Sequence, residues 1–265
     1  MKASLSKMKK QVQRGFTLVE IAIVLVIIGL LIGGVLRGQE LLNSARINSI
    51  AQQQSSISTA YYGFIDRYKT MPGDLSATQA LLINSTTAPA SANGDGNVGL
   101  ADSAAFFNNL AQAGFISCTP CSDTSIVTPG AAGAVATYTA PATLSGTNTM
   151  VNVYGTPLTF RKDTAITGGS TAGAIEFLAT TAEISKPMLS TGNTIASNML
   201  AEMDRKADDG NPGGGSFRYT DNGTGTVAGD KVTATVSGSC YAGSVANGFT
   251  WKVNPPGSCQ GVSLF

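Results

Sequence analysis

A run of 21 residues from Phe16 to Leu36, FTLVEIAIVLVIIGLLIGGVL, carries a single charge, Glu20. At 1.5 Å per residue a helix of that length spans roughly 30 Å, about the hydrocarbon thickness of a bilayer. The segment before it, MKASLSKMKKQVQRG, holds Lys2, Lys7, Lys9, Lys10 and Arg14 and no acid. That asymmetry predicts a cytoplasmic basic end, with everything downstream on the far side of the membrane. A charge deep in a bilayer costs on the order of 3 kcal/mol, so loops do not begin this way by chance.

A secretory signal peptide shares the basic-then-apolar order but ends in a small-residue cleavage site. Here the run passes instead into Arg37-Gly38-Gln39-Glu40-Leu41-Leu42 and continues as a helical pattern. Ile50, Ile57, Tyr61, Phe64, Ile65 and Tyr68 form one stripe, and the positions between them are mostly polar, with Gln, Ser, Arg and Asp among them. The pattern predicts one helix from about Phe16 to Tyr68. Its first half is apolar all round and its second half is amphipathic. Met71-Pro72-Gly73-Asp74 ends it, because proline lacks a donor and disfavours helix before it.

Composition removes several function classes. The 265 residues include no histidine, which excludes Ser-His-Asp and Cys-His catalysis and histidine metal sites. A net charge of +1 gives nucleic-acid binding no electrostatic basis. No P-loop is present. No carboxylate pair is marked out for hydrolysis. The chain therefore reads as a non-enzyme.

Gly15-Phe16-Thr17-Leu18-Val19-Glu20, after a short basic leader and before an apolar run, resembles the prepilin motif of type IV pilins and type II secretion pseudopilins. The resemblance implies cleavage between Gly15 and Phe16 by a membrane prepilin peptidase, and N-methylation of the new Phe16 terminus. It gives Glu20 the role of the family's assembly glutamate. An unpaired carboxylate in a bundle of apolar helices would cost several kcal/mol, and the Phe16 amine of a neighbouring subunit can pair with it. Such a pair sets register. The plainer reading of Glu20 is a carboxylate that snorkels to headgroups. Many members carry a proline where this chain has Arg37; Gly29, Gly33, Gly34 and Gly38 are the remaining weak points of the helix. Removing the five basic leader residues leaves 12 Lys+Arg against 16 Asp+Glu, a balance of about −4.

The domain plan is a leader at 1–15, a transmembrane or filament-core helix at 16–36, its amphipathic continuation at 37–70 and an exported domain at 71–265. In that domain Asp74 or Ser76 is placed to cap a short helix through Ile83, and Asp102 or Ser103 a second one stopped by Gly114. A third helix is expected over Thr194–Lys206. Strand-like stretches lie at Ala134–Thr139, Val151–Tyr154, Leu158–Arg161, Ala174–Ala179, Ser216–Thr220 and Lys231–Val236, the last two as a hairpin around Asp221-Asn222-Gly223. Helices followed by strands, without βαβ alternation, predict an α+β fold. The amphipathic stripe would pack on an antiparallel β-sheet, the pilin-like arrangement that the resemblance also implies. The Thr/Ser/Gly-rich stretches at 84–103 and 119–149 read as exposed loops, with subunit contacts or glycosylation as alternatives.

Four cysteines, Cys118, Cys121, Cys240 and Cys259, lie in the exported part, where disulfides form. They allow three pairings. Cys118–Cys121 with Cys240–Cys259 is the favoured pairing; the latter would close a loop holding Tyr241, Phe249 and Trp251, and its C-terminal position resembles the disulfide-bounded region of many type IV pilins. Zinc would want two close pairs, and a redox site would want a βαβ context. Asp95, flanked by Asn93 and Asn97, and Asp208 with Asp209 near Asp204 are weak candidate calcium ligands. The competing reading is turn residues that bond their own backbone. No cofactor is expected, with calcium left open.

The expected function is a structural filament subunit, either a type IV pilin or a type II secretion pseudopilin. It would be anchored once in the bacterial inner membrane, with the N-terminus cytoplasmic, before entering a periplasmic pseudopilus or a surface pilus. Its partners would be copies of itself, other pilins or pseudopilins, the prepilin peptidase, an inner-membrane assembly platform and membrane lipid. The alternative is a membrane-anchored exported binding protein or adhesin that never polymerises and keeps residues 1–15.

Overall fold

The computed structural model describes residues 15–83, 96, 98–99, 102–118, 121, 149–162, 186–192, 194–220, 240–244, 248–254 and 256–265. The chain divides into two compact units, Met1–Ser44 and Ala45–Phe265. Helix α1 (Leu18–Tyr68) contributes to both.

In the first unit every α1 residue through Arg37 is exposed. In the second, Ile47, Ile50, Gln54, Ile57, Ala60, Tyr61 and Phe64 are buried along one face, the three-and-four spacing of an amphipathic helix. Gln54 is the polar member of that face, and its Nε2 donates to the Ser190 carbonyl at 3.0 Å. The helix stops at Lys69, which takes a positive φ of 56° while its N–H still reaches the Ile65 carbonyl at 2.8 Å. Pro72-Gly73 then turns the chain; Gly73 sits at φ 88°, and a Cβ there would lie 3.2 Å from the Phe106 Cα.

Two short helices follow. In α2 (Ala77–Ile83) Ser76, rather than Asp74, is the capping residue: its N–H and hydroxyl both donate to Gln79 Oε1, at 3.0 and 2.9 Å, half of a capping box. In α3 (Ser103–Gln112) Asp102 occupies the N-cap position without a side-chain cap bond, and its carboxylate accepts the Gly99 N–H instead. Gly114 ends α3 at φ 78°, with Gly114 N–H on the Ala111 carbonyl and Phe115 N–H on that of Leu110. That bonding pattern is a Schellman motif, which only a residue tolerant of positive φ can close.

The sheet is antiparallel and built around β7 (Ser258–Leu264). β2 (Met188–Ser190) and β4 (Phe217–Thr220) both register against Val262 and Ser263, so they flank β7 on opposite sides. β1 (Phe160–Arg161) extends the sheet beyond β2. β3 (Ile195–Ala196) continues the course of β2 along β7, opposite Ser258 and Cys259. Helix α4 (Ser197–Ala207) follows directly. β5 (Tyr241–Ser244) and β6 (Gly248–Trp251) form a separate antiparallel pair.

Two apolar clusters line α1. Ile47 and Ile50 belong with Ile195, Met199, Leu200, Met203, Phe217 and Trp251. Ile57, Tyr61 and Phe64 belong with Phe106, Phe107, Leu110, Leu158 and Phe160. Phe106 and Phe160 stack at 3.7 Å between ring centroids, tying α3 to β1. The fold is thus α+β, a long helix with an antiparallel sheet.

Some local expectations change. Of Val151–Tyr154 only Val151 pairs, in a single antiparallel bridge to Pro157; the chain then turns, closed by Asn152 Oδ1, which accepts the Tyr154 and Thr156 N–H groups at 2.8 and 3.1 Å. Ile195 faces the core from β3, not from a helix, because pairing with Cys259 claims its backbone before α4 begins. β4 pairs with β7; its expected partner at 231–236, the turn at 221–223 and the stretches at 134–139 and 174–179 lie outside the described residues.

Candidate functional site

Gly15, Phe16 and Thr17 precede the helix and are exposed. Thr17 is the N-cap of α1 and Glu20 its third residue. The Thr17 N–H and hydroxyl both donate to Glu20 Oε2, at 2.8 and 2.9 Å, and the Glu20 N–H donates back to Thr17 Oγ1 at 3.3 Å. This reciprocal arrangement is a capping box, which satisfies N–H groups that have no partner within the helix. The carboxylate also sits at the positive end of the helix dipole. Glu20 therefore has a role inside its own chain besides any it plays toward a neighbour. The T-x-x-E spacing of Thr17 and Glu20 was the readable signal for it.

From Phe16 to Leu36 the first unit presents apolar side chains on all sides, Glu20 excepted. Phe16 is 83% exposed and Leu18 91%. The helix is long and apolar enough to cross a membrane, and none of its most apolar stretch is buried. A helix apolar around its whole circumference is stable only when lipid or other helices cover it. Just past this run Arg37 Nη1 pairs with Glu40 Oε2 at 2.6 Å, an exposed i,i+3 ion pair.

In the second unit Cys118 is bonded to Cys121 and Cys240 to Cys259, with Cα–Cα distances of 5.3 and 5.9 Å. Cys240–Cys259 joins the start of β5 to β7 and lies in the cluster that holds Tyr241, Phe249 and Trp251. Asn108 Nδ2 donates to the Cys121 carbonyl at 2.9 Å, which fastens the shorter bridge to α3.

Asp204, Asp208 and Asp209 bring carboxylate oxygens within 4.8 Å of one another at the C-terminal end of α4. Asp204 is fully buried; its Oδ2 accepts the Trp251 indole N–H at 2.7 Å and its Oδ1 the Gly210 N–H at 3.3 Å. Burial pushes the Asp204 carboxyl up to about 6, the Trp251 and Gly210 bonds oppose that, and the charges of Asp209 and Asp208 add to it. Asp208 Oδ2 accepts the Ser216 and Phe217 N–H groups, and Asp209 Oδ1 accepts the Asn211 N–H at 2.8 Å. The Asp209 bond is the local turn bond of a short acidic side chain, while the Asp208 bonds tie the end of α4 to the start of β4. The same three carboxylates are the residues that could hold a cation. Asp95, with Asn93 and Asn97, lies outside the described residues.

One family model matches, over residues 10–36, so the match runs across Gly15, Phe16, Thr17 and Glu20. The chain carries the prokaryotic N-terminal methylation motif. That motif is the signature of type IV pilins and pseudopilins, and it indicates N-terminal processing of the pilin kind. No curated protein and no solved structure matches the chain.

Proposed function

We propose that this chain is a structural subunit of a type IV pilus-like filament, a type IV pilin or a type II secretion pseudopilin. The observation that carries the reading is the methylation motif set on an apolar helix whose residues are all exposed through Arg37. Lipid covers that helix before assembly, and the helices of other subunits cover it afterwards. Prepilin peptidase cuts between Gly15 and Phe16, the Phe16 amine is methylated, and Glu20 pairs with the amine of a neighbouring subunit to fix the axial stagger. The exported α+β domain forms the outside of the fibre. A cytoplasmic ATPase supplies the work of extraction from the inner membrane.

Shearing cells and measuring intact masses in the released fraction tests this. The expected species begins at methylated Phe16. An abundant one in the sheared fraction identifies a pilus subunit, and a cleaved form confined to the membrane identifies a pseudopilin or a minor pilin. A chain that keeps residues 1–15 overturns the filament reading in favour of an anchored exported binding protein. Glu20→Ala is expected to be cut yet fail to enter filaments; normal assembly of that variant would remove Glu20 from the register role.

A further inference from the structure

We draw no further inference here: the strongest candidate, the Asp204–Asp208–Asp209 carboxylate cluster at the C-terminal end of α4, is a group of acids with no second observation pointing to a cation, and its oxygens accept hydrogen bonds from Trp251 and from backbone N–H groups.

Discussion

The Trp251 indole N–H donates to Asp204 Oδ2 at 2.7 Å, joining residues 47 apart in sequence within the core. Trp251 closes β6 and Asp204 lies in the last turns of α4, so the bond pins the β5–β6 pair to the helix. Buried indole N–H groups need an acceptor, and a buried carboxylate needs donors. Each residue supplies what the other lacks.

The burial of Asp204 sets a pH dependence that the Trp251 bond opposes. The Asp204 carboxyl is raised from 3.8 to about 6, chiefly by burial, so the folded state holds its proton more tightly than the unfolded chain does. Its contribution to stability is therefore greatest at acid pH, falls as pH rises from about 4 to about 6, and is constant above that. Asp204→Asn keeps an acceptor for Trp251 and removes the titration. Urea unfolding of the two proteins from pH 4 to 7 should give curves that diverge by up to about 2 kcal/mol. Parallel curves would show that folding does not shift the Asp204 pKa.

The Thr17–Glu20 box makes a local prediction. Thr17→Ala removes an N-cap acceptor and is expected to weaken the first turn of α1 by about 1 kcal/mol. Hydrogen exchange of the Glu20 N–H in detergent micelles should then rise roughly fivefold, while Thr17→Ser stays near wild type. Unchanged exchange in Thr17→Ala would mean that the box contributes nothing to the start of the helix.

The two disulfides differ in what they enclose. Cys240–Cys259 spans 19 residues and Cys118–Cys121 spans 3. On a loop-entropy estimate their removal costs ~3 and ~2 kcal/mol. Thermal unfolding of the double-serine variants should therefore rank Cys240→Ser/Cys259→Ser as the less stable, and the reverse order would show that the packing of Cys121 on α3 outweighs loop length.

Lys69 ends α1 in a left-handed conformation that favours glycine. Lys69→Gly is expected to stabilise the protein by about 1 kcal/mol, seen as a Tm rise of ~2–4 °C. Its ion pair with Asp66 is exposed at both ends, so losing it subtracts little. A fall in Tm would show that the ion pair contributes more than the backbone strain.

The readable features were those whose cause is local. The apolar run from Phe16, the stripe from Ile50 to Tyr68, the cap at Ser76 and the stop at Gly114 each follow from helical periodicity or from one residue's backbone preference. The methylation motif is likewise contiguous. The strands were harder, because β1 and β3 have 2 residues each and β2 has 3, too short for an alternating pattern to register.

Tertiary contact settled the remainder. β7 reads SCQGVSL, with little strand-forming character of its own, yet it is the centre of the sheet because β2, β3 and β4 all pair with it. Strand identity here comes from cross-strand pairing and burial rather than from propensity. Asp208 and Asp209 were visible as acids, but only the return of the chain at Trp251 and Ser216 assigns their cluster its bonds. Periodicity and capping act over a few residues and leave their mark in the sequence. Contacts between residues tens of positions apart exist only once the chain has closed on itself.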